Sequence, residues 1–147
     1  MKEELMNRLR IFLGKEANAS LVGVPASDEQ IAEAELRLNV KFDKDYIQFI
    51  QAFGGAYAGV PVHAFTNGSV IGNETVVELT QAFRKDFEQS EAGELLQNGY
   101  VISMDGSGDP IIISAEGEVL ICYHDLGESK VIAGSFAELI EENFFEW

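Results

Sequence analysis

This 147-residue chain has a single cysteine, Cys122, so an intramolecular disulfide framework is excluded and a thiolate metal site would lack a second thiol. Histidine is confined to His63 and His124, isolated positions that make a weak case for a metal centre. No apolar run approaches the roughly 18 to 20 residues that a membrane-spanning helix requires. The opening Met1-Lys2-Glu3-Glu4 carries both charge signs and no apolar segment of a secretion signal. A lone thiol suits a reducing compartment, and the expected location is therefore the cytoplasm. Lysine and arginine total ten and form no stripe, which argues against direct nucleic-acid binding through phosphates. No repeat, linker or low-complexity tract divides the chain, and its length fits one domain, residues 1–147.

Acid is abundant and unevenly spread. Residues 1–85 carry eleven acidic side chains against nine basic ones, whereas from Asp86 onward there are fourteen acids and one base, Lys130. Nearly all of the formal net charge of -15 thus lies on a stretch that also holds the most apolar short runs. With 46% hydrophobic residues, including ten Phe and four Tyr, the chain has the apolar surface for a real core, so disorder is not expected. A folded region so poor in bases either keeps itself soluble or presents a negative surface to a positive partner.

Leu5, Leu9, Phe12 and Leu13 recur at helical spacing up to Gly14, predicting a helix over residues 2–13, followed by a loop. After Pro25, Ser27-Asp28-Glu29-Gln30 has the capping-box pattern, and Ile31, Ala34 and Leu38 supply the buried stripe of a second helix. A third helix is expected from Asp43, burying Tyr46, Ile47, Ile50 and Phe53 and ending in a left-handed cap at Gly54-Gly55. Asn67-Gly68, between runs at 60–65 and 69–71, is a hairpin signal, and Pro61 marks the first run as an edge strand. Asn73 is expected to cap a fourth helix with Val76, Leu79, Ala82, Phe83 and Phe87 inward, and residues 91–96 to add a short turn. Runs at 100–104, 111–114 and 119–123 predict a meander, with a further short run at Val131-Ile132. Ser135 and Glu138 suggest another capping box, opening a last helix whose stripe is Phe136, Leu139, Ile140 and Phe144. Helices gathered at both ends of a mainly antiparallel sheet predict an α+β fold.

The densest polar cluster is Asp105-Gly106-Ser107-Gly108-Asp109-Pro110. It places oxygen ligands at positions one, three and five of a calcium-type loop, with Glu116 at position twelve. Pro110 stands where such a loop needs glycine and no helix follows, so a tight strand connection competes with a calcium or small-ligand site. Cys122, His124 and Asp125 have the types of nucleophile, base and orienter, yet a strand sets Cys122 and His124 about 7 Å apart on one face, beyond direct hydrogen bonding. No two carboxylates are fixed together in an apolar pocket, and no catalytic residue, metal ligand or cofactor site is assigned. Glu138, Glu141, Glu142 and Glu146 fit a solvated face of the last helix. Asp105, Asp109, Glu116, Glu118, Asp125 and Glu128 fall instead at the connections of the meander, where loops from both of its ends can meet a partner.

Taken in order, several of these pieces resemble the SUKH superfamily, of Smi/Knr type, over residues 24–144. The resemblance is carried first by Pro25, Glu35-Leu36-Arg37-Leu38, Phe42-Asp43-Lys44-Asp45-Tyr46, Phe49 and Phe53-Gly54-Gly55. Gly106-Ser107-Gly108-Asp109 before an apolar strand, the run at 119–125 and Ser135-Phe136-Ala137-Glu138-Leu139-Ile140 complete it. Asp43, Phe53 and Ser114 depart from the residues usual in the family. The resemblance implies an α+β fold with helices packed on a central sheet and a structural framework at Tyr46, Gly54, Gly55, Gly108, Asp109 and Phe136. It also implies a non-enzymatic protein, bacterial members being immunity proteins that bind and neutralise a cognate toxin, often a nuclease, of a polymorphic or contact-dependent system. A fungal member regulates cell-wall assembly. The implied partner is a protein toxin with a basic surface, met by the six meander acids.

Overall fold

The computed structural model describes residues 1–147. Helix α1 (Glu3–Leu13) leads through a 3-10 segment (Glu16–Leu21) to α2 (Asp28–Leu38) and α3 (Lys44–Phe53), and a small hairpin, β1 (Ala56–Tyr57) and β2 (Pro61–Val62), follows. Then come α4 (Val76–Asp86), α5 (Gly93–Asn98), β3 (Tyr100–Met104), β4 (Pro110–Ile113), β5 (Val119–Cys122), β6 (Ser129–Ala133) and α6 (Phe136–Asn143). Strands β3 to β6 form one antiparallel meander in chain order, and the fold is α+β.

Local chemistry places the helices. The Ser27 side chain accepts from the Gln30 amide while Gln30 accepts from the Ser27 amide, a complete capping box that starts α2. Asp43 caps α3 by accepting from the Asp45 and Tyr46 amides. Gly54 ends α3 at φ 66°, and a Cβ there would stand 2.1 Å from the Val24 carbonyl oxygen, so the position excludes any side chain.

The sheet lies between two groups of helices. Tyr100, Ile102, Ile111, Ile113, Val119 and Ile121 belong to the larger apolar cluster with residues of α1, α2, α3 and α6. Alternate positions Val101, Ile112, Leu120 and Cys122 turn to the other face and pack with Leu79, Phe87 and Leu96 from the α4–α5 side. This is why β4 and β5 are continuous apolar runs: both faces are buried, and no alternation survives. At the centre of the larger cluster Phe136 meets Tyr46 and Phe49 edge to face, at 5.6 and 5.5 Å between ring centroids.

Five expectations need correction, the first being Ala82, which is exposed on α4 while Val77 and Thr80 are buried with Val76 and Leu79. The Asn67-Gly68 hairpin does not form; β2 pairs with β1, and Asn67 instead knits an irregular loop. Its Oδ1 accepts from the Ala64 amide, and its Nδ2 donates to the Gly72 and Glu74 carbonyls. Helix α4 is capped by Thr75 in a full box with Glu78, not by Asn73, whose hydroxyl-bearing neighbour two residues on stands one step before the helix. The loop expected after α1 contains the 3-10 segment, whose buried Asn18 donates to the Phe12 carbonyl. At α6, Ser135 accepts from the Glu138 amide, but Glu138 reaches past it to the Gly134 amide, so the box is not closed.

The two edges of the meander differ. The His63 amide donates to the Ile102 carbonyl at 2.8 Å, which lays β2 beside β3. No strand is paired to the outer side of β6.

Candidate functional site

Antiparallel pairing sorts the six meander acids into two groups. Met104 pairs with Pro110, and Cys122 with Ser129, so the β3–β4 and β5–β6 connections share one end of the sheet. That end holds Asp105, Asp109, Asp125 and Glu128. Glu116 and Glu118 lie in the β4–β5 turn beyond the Ile113–Val119 pair, at the opposite end. The six are therefore not one cluster.

Two of them hold the loops rather than face outward freely. Asp105 Oδ1 accepts from the Ser107 and Asp109 amides, both at 2.9 Å, and Gly108 takes φ 83° to complete the turn. Asp109 is largely covered and accepts from the His124 amide at 3.1 Å, tying the two connections together. Glu116, Glu118, Asp125 and Glu128 are exposed.

Helix α5 joins the two ends along the flank of the sheet. Glu91 and Glu128 line a hollow of about 330 Å³ at one end. Glu91, Glu94 and Glu116 line a groove of about 490 Å³ that runs to the other, with Lys41 on its far wall. The result is a band of carboxylates from Glu128 through Glu91 and Glu94 to Glu116. Glu91 and Glu94 were not singled out from sequence, because only the packing of α5 against the sheet brings them between the two turns. Glu91 lies in the turn before α5 and Glu94 in its first turn, and no local pattern joins them.

No ion pair forms along this band, and Lys41 is the one base on the groove's wall. The ion pairs of the second half are Glu141 with Lys2 and Glu146 with Arg8, and none involves Asp105, Glu116, Glu118, Asp125, Glu128, Glu91 or Glu94. Acids on and after α6 thus partly pair with Lys2 and Arg8, while Glu91, Glu94, Glu116, Glu118, Asp125 and Glu128 meet solvent. Such unpaired like charges raise a field that attracts a basic surface and weakens as salt rises.

The reactive constellations do not assemble. Asp105 and Glu116 lie at opposite ends of β4, so the calcium loop joining them is not formed, and Asp105 already serves two amides. No three His, Cys, Asp or Glu side chains converge as a metal-binding group. Cys122 is buried, and burial, with Asp109 nearby, pushes its thiol up to about 11, away from the thiolate a nucleophile needs. The His124 ring packs on Phe87 with centroids 5.7 Å apart. His63, expected on an edge strand, follows β2 as a buried residue whose Nδ1 bonds the Glu74 carbonyl at 2.7 Å. The Ser114 hydroxyl is buried without a partner.

The framework residues act as packing and backbone devices. Tyr46 donates its hydroxyl to the His63 carbonyl at 2.7 Å, and burial holds its pKa well above the ordinary phenol value. Gly55 forms a bridge to Asn67, and Phe136 fills the aromatic centre.

A meander clothed by helices on both faces, with charge concentrated on its connections and flank, defines an α+β module of the SUKH kind. The SMI1 / KNR4 family (SUKH-1) matches residues 25–142, and the chain belongs to this family. No curated protein matches the chain. No helix is long and apolar enough to cross a membrane.

Proposed function

We propose that the protein is a non-enzymatic immunity protein that binds and neutralises a cognate toxin domain, acting in the cytoplasm against a partner with a basic surface. Membership of the family is consistent with an immunity role. The observation that carries the acidic interface is the unpaired band from Glu128 through Glu91 and Glu94 to Glu116. A nuclease cleft built to hold phosphates is basic, so this band would be drawn to it and would block the substrate's place.

The test is inhibition. Purified protein is added to the toxin domain encoded beside it in the genome, and the toxin's activity is measured against the molar ratio. Stoichiometric loss of activity is expected, and a triple reversal, Glu91→Lys, Glu94→Lys and Glu116→Lys, should weaken it by at least about tenfold. Unchanged inhibition by the triple variant would reject the band. Failure of the wild-type protein to inhibit would reject the immunity reading itself.

A further inference from the structure

We propose that the outer edge of β6 accepts an extended strand from the partner protein, basic at both ends and acidic at its centre, so that the meander grows by one strand. This deepens the toxin-binding reading and rests on it. The Tyr123 amide donates to the Glu128 carbonyl at 2.7 Å, and the register runs on through Cys122–Ser129 and Ile121–Lys130 to Leu120–Val131. Antiparallel alternation turns the backbone of Lys130 toward β5 and those of Ser129 and Val131 outward. Two N–H and two C=O groups therefore point away from the sheet, on a strand whose first three residues are exposed.

Side chains and charge specify the occupant. Val131 lies opposite Leu120, on the face covered by α4 and α5 elsewhere, yet remains 47% exposed beyond their reach. It offers an apolar neighbour to an incoming strand. Lys130, the only base after Asp86, sits at mid-strand on the other face and favours an acid opposite. Asp125 and Glu128 precede β6, while Glu118 adjoins the Val119–Ala133 pair and Glu138 binds the Gly134 amide at the strand's far end. Acids thus bracket the edge and favour bases at both ends of the occupant. A second copy is the poorer occupant, because each chain carries -15 and a lysine at mid-edge deters self-pairing.

A cyclic hairpin peptide tests this, its outer strand bearing lysine at each end, glutamate at the centre and valine between. It is titrated into the full chain, and amide hydrogen exchange is followed. Exchange at Ser129 and Val131 is expected to slow by about tenfold or more. Val131→Pro, read at the Ser129 amide, and Ser129→Pro, read at the Val131 amide, each remove one outward N–H together with the native side chain and should abolish protection at the amide that remains. Lys130→Glu, an exposed change, should lose the peptide and regain one whose central glutamate is replaced by lysine. No protection, protection elsewhere, or equal binding of a peptide with all charges inverted would overturn the proposal. So would slowing at Ser129 and Val131 that grows with protein concentration alone, which marks a second copy. The immunity reading fails separately, through absent inhibition of the neighbouring toxin domain.

Discussion

Arg84 donates to three carbonyls and faces no carboxylate: its Nε binds Leu96 O at 2.8 Å, and one terminal nitrogen binds Leu38 O and Gly99 O at 2.9 and 3.1 Å. Leu38 is the last residue of α2, and Leu96 lies in the final turns of α5, so one cation satisfies carbonyls that helix ends leave open. Burial lowers the pKa of the guanidinium somewhat, but the group stays charged and its donors stay in use. Arg84→Met should cost about 2–3 kcal/mol in urea unfolding, and Arg84→Lys should recover only part, since an ammonium cannot reproduce the planar fork. An unchanged urea midpoint in Arg84→Met would remove Arg84 from the structural account. In the sequence Arg84 is one more base on an amphipathic helix, and nothing there announces that it joins three elements. Gly54 is the contrary case: a double glycine closing an apolar helical stripe already signals the positive φ that the fold requires.

The segment after α6 is held to α1 by a charged and aromatic clamp. Arg8 binds Glu146 through two hydrogen bonds, at 3.0 and 2.6 Å, and lies 5.2 Å over the Phe144 ring. Trp147 meets Phe12 edge-on, 4.6 Å between centroids. The hydrogen bond from Arg8 brings the Glu146 carboxyl from its ordinary 4.5 down to about 2. A depressed carboxyl contributes stability above its unfolded value and loses it as pH falls through its folded value, so the clamp should loosen between pH 4.5 and about 2. Emission from Trp147, the only tryptophan, should shift across that window in the wild type and lack the transition in Arg8→Ala. The same transition in both proteins would show that another group controls it. Other elements were legible to differing degrees. Ser27 with Gln30 signals α2 because a capping box is local, whereas Asn67-Gly68 misleads because the Asn67 amide bonds to Ala64, Gly72 and Glu74 across a loop.

Across the whole molecule the charge division of the sequence is partly cancelled and partly concentrated. Lys2 and Arg8 from the balanced half reach Glu141 and Glu146 of the acidic half, leaving the meander connections and α5 as the unpaired region. Association with a basic partner should therefore slow as salt rises, by about tenfold or more between low and 0.5 M ionic strength, while dissociation changes less. Stopped-flow measurement at several salt concentrations checks this. A rate independent of salt would leave only an apolar interface, centred on groups such as Leu126 and Val131.

Composition and local pattern alone determined the acidic half, the three leading helices, the apolar meander and the lack of a disulfide framework, because these depend on residue type and on contacts a few positions apart. Only the tertiary structure decided that Glu116 and Glu118 stand a strand's length from the other meander acids, with Glu91 and Glu94 between. It also decided that β6 keeps an open edge while β2 covers β3. Those outcomes depend on which end each connection occupies and on which helix lies along the flank, relations between distant residues that no local spacing encodes.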